Sequence, residues 1–381
     1  MPALGCRPAH APESRDQTAW PPAKALMSTS ECGCSHRGLT LDSSHWRGLH
    51  PRRRFLGIGA KASLVAVLPS IWRHALAADE AGKDSKAPSA RLVLLGTAGG
   101  PTVRLDRAAP ASALIINGEP YLIDCGEGTV IQLERAGIRH TTVGKVFLTH
   151  HHDDHNAGVG PLLSLSWSNG RRASVEVYGP AGTEGIVAAT LEYAKANIAI
   201  RTLDEGRQLV PSKLWHGHDV LKPGSVFEDP NVRITCVQNN HFDVPGHQSL
   251  SYRFETPTRA VVFSGDTNYS EALIELAKGA DVLVHEALQV PATRPILQGI
   301  LEKQGLPQAE IDSLVTHILT GHASTEDIGR VASAAGVRLL VLNHLIPGGL
   351  EKTPLSDNDY ITGVRLNYSG PIIVGRDLQS I

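Results

Sequence analysis

The stretch Thr149-His150-His151-His152-Asp153-Asp154-His155-Asn156 constrains this chain more than any other. An apolar run, Val146-Phe147-Leu148, leads straight into it, which predicts a loop at the end of a buried strand. Within the stretch, His150, His152, Asp154 and His155 follow the pattern His-x-His-x-Asp-His. Imidazole and carboxylate groups are costly to bury without partners, so packing alone does not explain this density. A solvated polar loop or an affinity tag is the plain alternative, but a tag lies at a terminus and is not fed by an apolar strand. Mixed nitrogen and oxygen donors point to a site for zinc or a similar borderline ion.

The chain has 381 residues, 41% hydrophobic and 19% charged, enough for one large globular domain or two small ones. Residues 1–77 hold 10 Lys and Arg against 4 Asp and Glu, leaving 26 against 34 in the rest, a formal charge of −8. That acidic balance argues against a polyanionic partner such as nucleic acid. Three cysteines, Cys6, Cys32 and Cys34, precede residue 77. Cys125 and Cys236 are too few and too far apart for a disulfide framework and read as small buried groups, although an oxidising compartment would permit a bridge.

The first 50 residues are rich in Pro, Ser, His and Gly and show no hydrophobic period; both Met1 and Met27 stand as starts. Arg52-Arg53-Arg54-Phe55-Leu56 then leads a moderately apolar run to Trp72, ending in Ala75-Leu76-Ala77. This resembles a twin-arginine export signal with a small-x-small cleavage site, although Pro51 stands where Ser or Thr is usual. The run is short of the ~20 residues a membrane span needs and contains Lys61, so no stable membrane insertion is expected after cleavage. The route carries folded proteins, which fits metal acquired before export. Residues 1–77 thus read as a leader, 78–90 as a polar linker and 91–381 as one domain, placed in the periplasm.

Strands are expected at Arg91–Leu95, Ala111–Ile116 and Tyr121–Asp124, the last two joined by the hairpin signal Asn117-Gly118. The glycine loop 96–101 lacks the Lys-Ser/Thr of a phosphate-binding loop and reads as a tight turn near the site. Helices are expected at 127–136, 157–168, 182–198, 270–278, 308–319 and 325–335. Further strands are expected at 174–178, 232–238, 250–255, 260–264, 281–285, 337–342 and 372–375. Hairpins followed by alternating strands and helices predict a layered α/β domain, conceivably built of two similar halves.

His241, Asp266 and His344 each follow an apolar strand-like run. Alone, each is an ordinary turn residue; together with the histidine motif they form a donor set. At this point the chain resembles the metallo-β-lactamase superfamily, and within it the branch of ribonuclease Z and the arylsulfatase-like hydrolases. The resemblance runs through Leu94-Leu95-Gly96-Thr97, Leu122-Ile123-Asp124-Cys125-Gly126-Glu127-Gly128-Thr129 and Ser264-Gly265-Asp266-Thr267. It continues through Val284-His285-Glu286-Ala287, Gly321-His322-Ala323-Ser324-Thr325 and Leu342-Asn343-His344. It implies an αββα sandwich holding two divalent metal ions, zinc first, with manganese or iron as alternatives. His150, His152 and His241 would hold one ion, Asp154, His155 and His344 the other, and Asp266 would bridge. It further implies a shared hydroxide nucleophile, Asp154 doubling as general base, and His322 protonating the leaving oxygen with Glu286 orienting it. The plain reading of His322 is a turn residue before a helix capped by Ser324. His285 is expected to be structural, His151 and Asp153 carry no ligand role, and His216, His218 and His247 are weaker candidates for the substrate pocket.

Ribonuclease Z carries a glycine-rich basic arm soon after the position of Tyr178-Gly179-Pro180, and residues 182–224 here have few glycines and no dense basic run. The leading expectation is therefore an exported dinuclear hydrolase of a small phosphodiester or aryl sulfate ester, with a homodimer expected from the family. A ribonuclease Z-like tRNA 3′-processing endonuclease is the first alternative, and an iron-dependent oxidoreductase on the same fold is the second. A non-enzymatic binding module should have lost ligands, and none is missing. The ligand set also differs from that of β-lactam-cleaving members. Export predicts a mature amino terminus near Ala78 on protein recovered from the periplasm; an intact leader on cytoplasmic protein would rule it out.

Overall fold

The computed structural model describes residues 90–381 except Asp243 and residues 348–354. The expected export signal and cleavage site, and residues 78–89 of the expected linker, lie outside the described residues. The first sheet is built from β1 (Ala90–Gly96), β2 (Ala111–Ile116), β3 (Glu119–Ile123), β4 (Lys145–Phe147), β5 (Val175–Gly179) and β6 (Trp215–Asp219). The second takes β7 (Gly224–Glu228), β8 (Arg233–Gln238), β9 (Leu250–Glu255), β10 (Ala260–Phe263), β11 (Val282–Leu288), β12 (Leu340–Ile346) and β13 (Ile372–Val374). A final strand, β14 (Gln379–Ser380), returns to the first sheet beside β1. The spatial orders are β14-β1-β2-β3-β4-β5-β6 and β13-β12-β11-β10-β9-β8-β7. Each sheet opens with antiparallel pairs and ends with parallel ones, the change falling at β3–β4 and at β10–β11. The two similar halves conceived from the sequence are present.

Three apolar layers explain why the central strands read as unbroken hydrophobic runs. Along β1, Leu92 and Leu94 join the layer between the sheets, whereas Val93 and Leu95 face the helices outside the first sheet. Those helices are α1 (Thr129–Arg135), α2 (Asp153–Asn156), α3 (Val159–Ser168) and α4 (Thr183–Asp204). Outside the second sheet lie α5 (Glu271–Ala277), α8 (Thr325–Ala335) and α9 (Asp357–Val364), whereas α6 (Val290–Lys303) and α7 (Gln308–Gly321) pack on each other around a small core of their own. The residues of α5, α8 and α9 complete the third layer, with Leu273, Ile328, Val331 and Tyr360 buried in it. Two sheets flanked by helices are the expected αββα sandwich.

Several elements depart from expectation. The histidine motif is only half a loop, because Asp153–Asn156 closes as the short helix α2. α4 runs to Asp204, six residues beyond the expected end. α6 was not expected, since Pro291 and Pro295 interrupt its helical pattern; the first sits in the opening turn, where a missing N–H is harmless, and the second lies within the helix. β6 was missed because Trp215-His-Gly-His-Asp carries no apolar alternation, as befits an edge strand. β12 starts later than expected and continues to Ile346, so His344 lies inside a strand rather than after one. Cys125 and Cys236 are both free and buried, in different apolar layers.

The turn after β3 packs directly on the metal-motif helix. A Cβ built on Gly126 would stand 2.1 Å from the carbonyl oxygen of Asp154 and 2.7 Å from Ala109 Cβ. Gly126→Ala should therefore lower stability by about 1–3 kcal/mol, read from urea denaturation. An unchanged midpoint would show that the backbone there yields freely.

Candidate metal centre

The donor side chains predicted from sequence converge on one edge of the sandwich. His150 and His152 follow β4, Asp154 and His155 lie on α2, His241 follows β8, Asp266 follows β10, and His344 projects from β12. All seven are brought together, in overlapping clusters whose donor atoms lie within 4.8 Å of one another. One cluster is His150, His152, His241 and Asp266; another is Asp154, His155 and His344. This is the division the resemblance implied.

Backbone distortion aims one of these donors, His344, and a residue that supports another, Asp124. Between β11 and β12 the register shifts, so that Glu286 pairs with Asn343 but Ala287 pairs with Leu345. His344 sits at the shift with φ 42°, a left-handed conformation rare for a residue with a side chain. A bulge of this kind re-aims a side chain, and here it turns His344 onto Asp154 and Asp266. Asp124 is also left-handed, with φ 57°.

Three of the rings, those of His241, His155 and His150, are held through the nitrogen that faces away from the cluster. His241 Nδ1–H donates to the Gly321 carbonyl at 2.7 Å, leaving Nε2 free toward the centre. His155 Nδ1 lies 2.9 Å from Asp124 Oδ2, and His150 Nδ1 lies 3.0 Å from Thr149 Oγ1. Asp124 itself accepts the Thr149 N–H at 2.7 Å. Anchoring one nitrogen fixes the tautomer and presents the other as a lone-pair donor, as metal-ligating histidines require. Sequence placed Asp124 at a strand end but gave it no role; its partner is 31 residues away.

The electrostatics divide the cluster the same way. Burial, then His155, holds His150 well below the usual imidazole range; burial holds His152 down and takes His241 to about 3. These three are neutral, the form that binds a metal. Burial also opposes charge on Asp266, but His155 and His344 outweigh it and hold that carboxyl well down. Asp154 falls to about 2: burial works against its charge, and His155 and His344 more than offset it. In return Asp266, Asp154 and Asp124 raise His155 well above its ordinary value against burial, and Asp266 and Asp154 lift His344 to about 8. Asp266 Oδ2 stands 3.1 Å from His344 Nε2, 3.3 Å from His155 Nε2 and 3.7 Å from His150 Nε2. His155 Nε2 and Asp266 Oδ1 are buried with no hydrogen-bond partner. Buried polar atoms left unpaired are costly, and a cation accepting a lone pair from each would satisfy both, so the residues present fit a metal pair.

Beside this cluster, His322 Nδ1 lies 2.7 Å from Glu286 Oε2. Glu286 Oε1 accepts the Thr267 N–H at 2.6 Å, tying the carboxyl to the strand end that carries Asp266. Burial and Asp266 push Glu286 well above the carboxylate range, while burial takes His322 to about 4. Ser324 does cap α8, accepting the Asp327 N–H at 3.1 Å, so the turn role and the pairing of His322 coexist. The glycine loop reaches the site as expected, Gly100 N donating to Asp154 Oδ2 at 3.2 Å.

His285 is buried with Nδ1–H on the Glu286 carbonyl, a structural position. His151 turns away to Pro180, and Asp153 is exposed. His218 pairs with Glu176 and stacks on Tyr178 in the far strand β6, and His216 lies on that strand too, so neither joins the cluster. His247 lines a separate hollow with His151, His152 and Phe242. His317 was missed: its ring centroid lies 5.7 Å from both His152 and His241, but a histidine on an exposed helix carries no sequence signal.

Residues 120–345 match the family model for the β-lactamase superfamily domain. The chain belongs to that superfamily, whose metallo-β-lactamase hydrolases share this fold and a metal-binding edge. It is similar to the Ribonuclease Z of Mycobacterium bovis, 28% identical over 293 residues that cover 76% of this chain and 97% of that protein. The metallo-β-lactamase fold protein YhfI from Bacillus subtilis matches with TM-score 0.54 at 18% identity, over 77% of this chain and 99% of that one. The short form of human tRNase Z matches with TM-score 0.53 at 21% identity, over 76% and 98%.

Asp124 provides a direct test of the anchoring. Asn tolerates the left-handed backbone but cannot supply the negative charge that orients His155. Asp124→Asn should weaken divalent-metal binding about 10- to 100-fold in chelator competition, with the circular dichroism unchanged. Unaltered affinity would show that Asp124 has no part in the site.

Proposed function

We propose that this chain is an exported dinuclear metal hydrolase that cleaves a small phosphodiester or aryl sulfate ester. The observation that carries the reading is the His322–Glu286 pair set beside the seven-donor cluster. His150, His152, His241 and Asp266 would hold one divalent ion, zinc or manganese, and Asp154, His155, His344 and Asp266 the other. When bound, such ions activate water and neutralise charge developing on an ester's oxygens.

The chain's own groups supply the rest. Asp154, fixed by the Gly100 N–H, is placed to accept a proton from water at the cluster. Held neutral by burial, His322 would accept a hydrogen bond from the protonated Glu286 at Nδ1 and carry its own proton on the other nitrogen, beside the cavity it lines, to pass to a departing oxygen as Nδ1 takes up the Glu286 proton. Glu286 positions that ring and does not touch substrate. An alkoxide or phenoxide leaving group needs such a proton.

Two features favour a small ester over RNA. Among the described residues, the cavity at the cluster, about 340 Å³, is lined by no Lys or Arg and carries Asp153 at its edge, whereas RNA binding rests on phosphate contacts by basic side chains. The segment after Pro180, where a tRNA-binding arm would be sought, folds as α4 against β5 and β6. The second reading, a ribonuclease Z-like nuclease, is favoured by the similarity to the mycobacterial Ribonuclease Z along nearly its whole length. Export rests on Arg52-Arg53 and Ala75-Leu76-Ala77 alone.

Mature protein loaded with zinc or manganese should turn over bis-p-nitrophenyl phosphate or p-nitrophenyl sulfate. Faster cleavage of a 3′-extended tRNA would overturn the ranking. His322→Ala should cut kcat by about 100- to 10,000-fold while metal content stays constant by atomic emission. Metal loss would instead make His322 a ligand.

A further inference from the structure

The cavity beside the donor cluster has two unlike walls. The inner one is polar, formed by ligand-type side chains and His322. The outer one comes from the hairpin of α6 and α7. On α6, Thr293, Leu297 and Leu301 recur at every fourth residue and so share one face; on α7, Leu314, His317 and Ile318 do the same at spacings of three and one. Both faces look into the cavity. The hairpin is held by its own small core of Leu301, Ile311 and Val315, so Leu314 is not required for packing and remains 42% exposed. Among the described residues, no Lys or Arg lines either wall.

We infer that this outer wall receives the substrate's leaving group and selects an uncharged, apolar one such as an aryl ring. The inference rests on the ester-hydrolase reading. His322 directly follows Gly321, the last residue of α7, so a leaving oxygen protonated by His322 has its substituent beside the α7 face. Leucine and isoleucine surface next to a polar centre gains from being covered by an apolar group. A carboxylate or phosphate on that substituent meets no Lys or Arg among the described residues of that wall and loses solvation. The volume, about 340 Å³, is at the small end of ligand sites.

The experiment uses two methyl phosphodiesters whose leaving groups are phenols of similar acidity, 2-naphthol and 4-hydroxybenzoate, so that intrinsic reactivity is matched. Zinc-loaded mature protein should prefer the naphthyl ester by at least about 10-fold in kcat/KM. Leu297→Lys and Leu314→Lys should each reduce or reverse that preference, mainly through KM. Calorimetry with two uncleavable phosphonates, 2-naphthylmethyl and 4-carboxybenzyl, reads the same selectivity without turnover. Equal binding of the two phosphonates, or a preference unmoved by both variants, overturns the inference. Selective phosphonate binding without cleavage of either diester, or of 2-naphthyl sulfate, upholds the cavity's role and overturns the ester-hydrolase reading instead.

Discussion

Everything at the open edge of this sandwich depends on the carboxylate of Asp266. It is buried at the meeting point of His150, His155, His322 and His344, at 3.1–3.9 Å from their ring nitrogens. A carboxylate in that position is heavily penalised by lost hydration, and a crowd of imidazoles without it would be penalised as well. Each requires the other, and two cations would satisfy both. The fold responds by spending backbone regularity: Asp124 and His344, both left-handed, lie at this edge. Strained residues of this kind persist where surrounding structure over-determines them, and here three apolar layers supply that constraint.

What could be read from sequence follows the range of the interaction. The four donors within residues 150–155 are visible because the pattern is local. His241 and Asp266 are visible only as polar residues at the ends of apolar runs, and a pattern of strand ends says nothing about which ends meet. The layered fold was legible because strands buried on both faces leave continuous apolar runs. Position was harder. The bulge that turns His344 inward is a property of the β11–β12 pair and leaves no mark on either strand. The role of Asp124 depends on α2 folding back over β3, and that of His317 on how α7 is laid beside the site. Proline hid α6, although one of its prolines sits where a helix tolerates it.

The stretch between β11 and β12 shows how the fold separates fixed chemistry from adjustable recognition. Glu286 and His322 are 36 residues apart, yet they meet at 2.7 Å. The pairing does not depend on the hairpin between them. Leu288 donates its N–H to the Ala323 carbonyl at 3.0 Å and bridges to Ser324, closing the loop at its base. Closure entropy grows only slowly with loop length, so the segment above that clasp can lengthen or change with little effect on the His322–Glu286 geometry. α6 and α7 occupy that segment, packed on their own core and facing the cavity. A chain built this way can alter the surface that meets a leaving group without disturbing the group that protonates it, so likeness in the donor set is a weak guide to likeness in substrate.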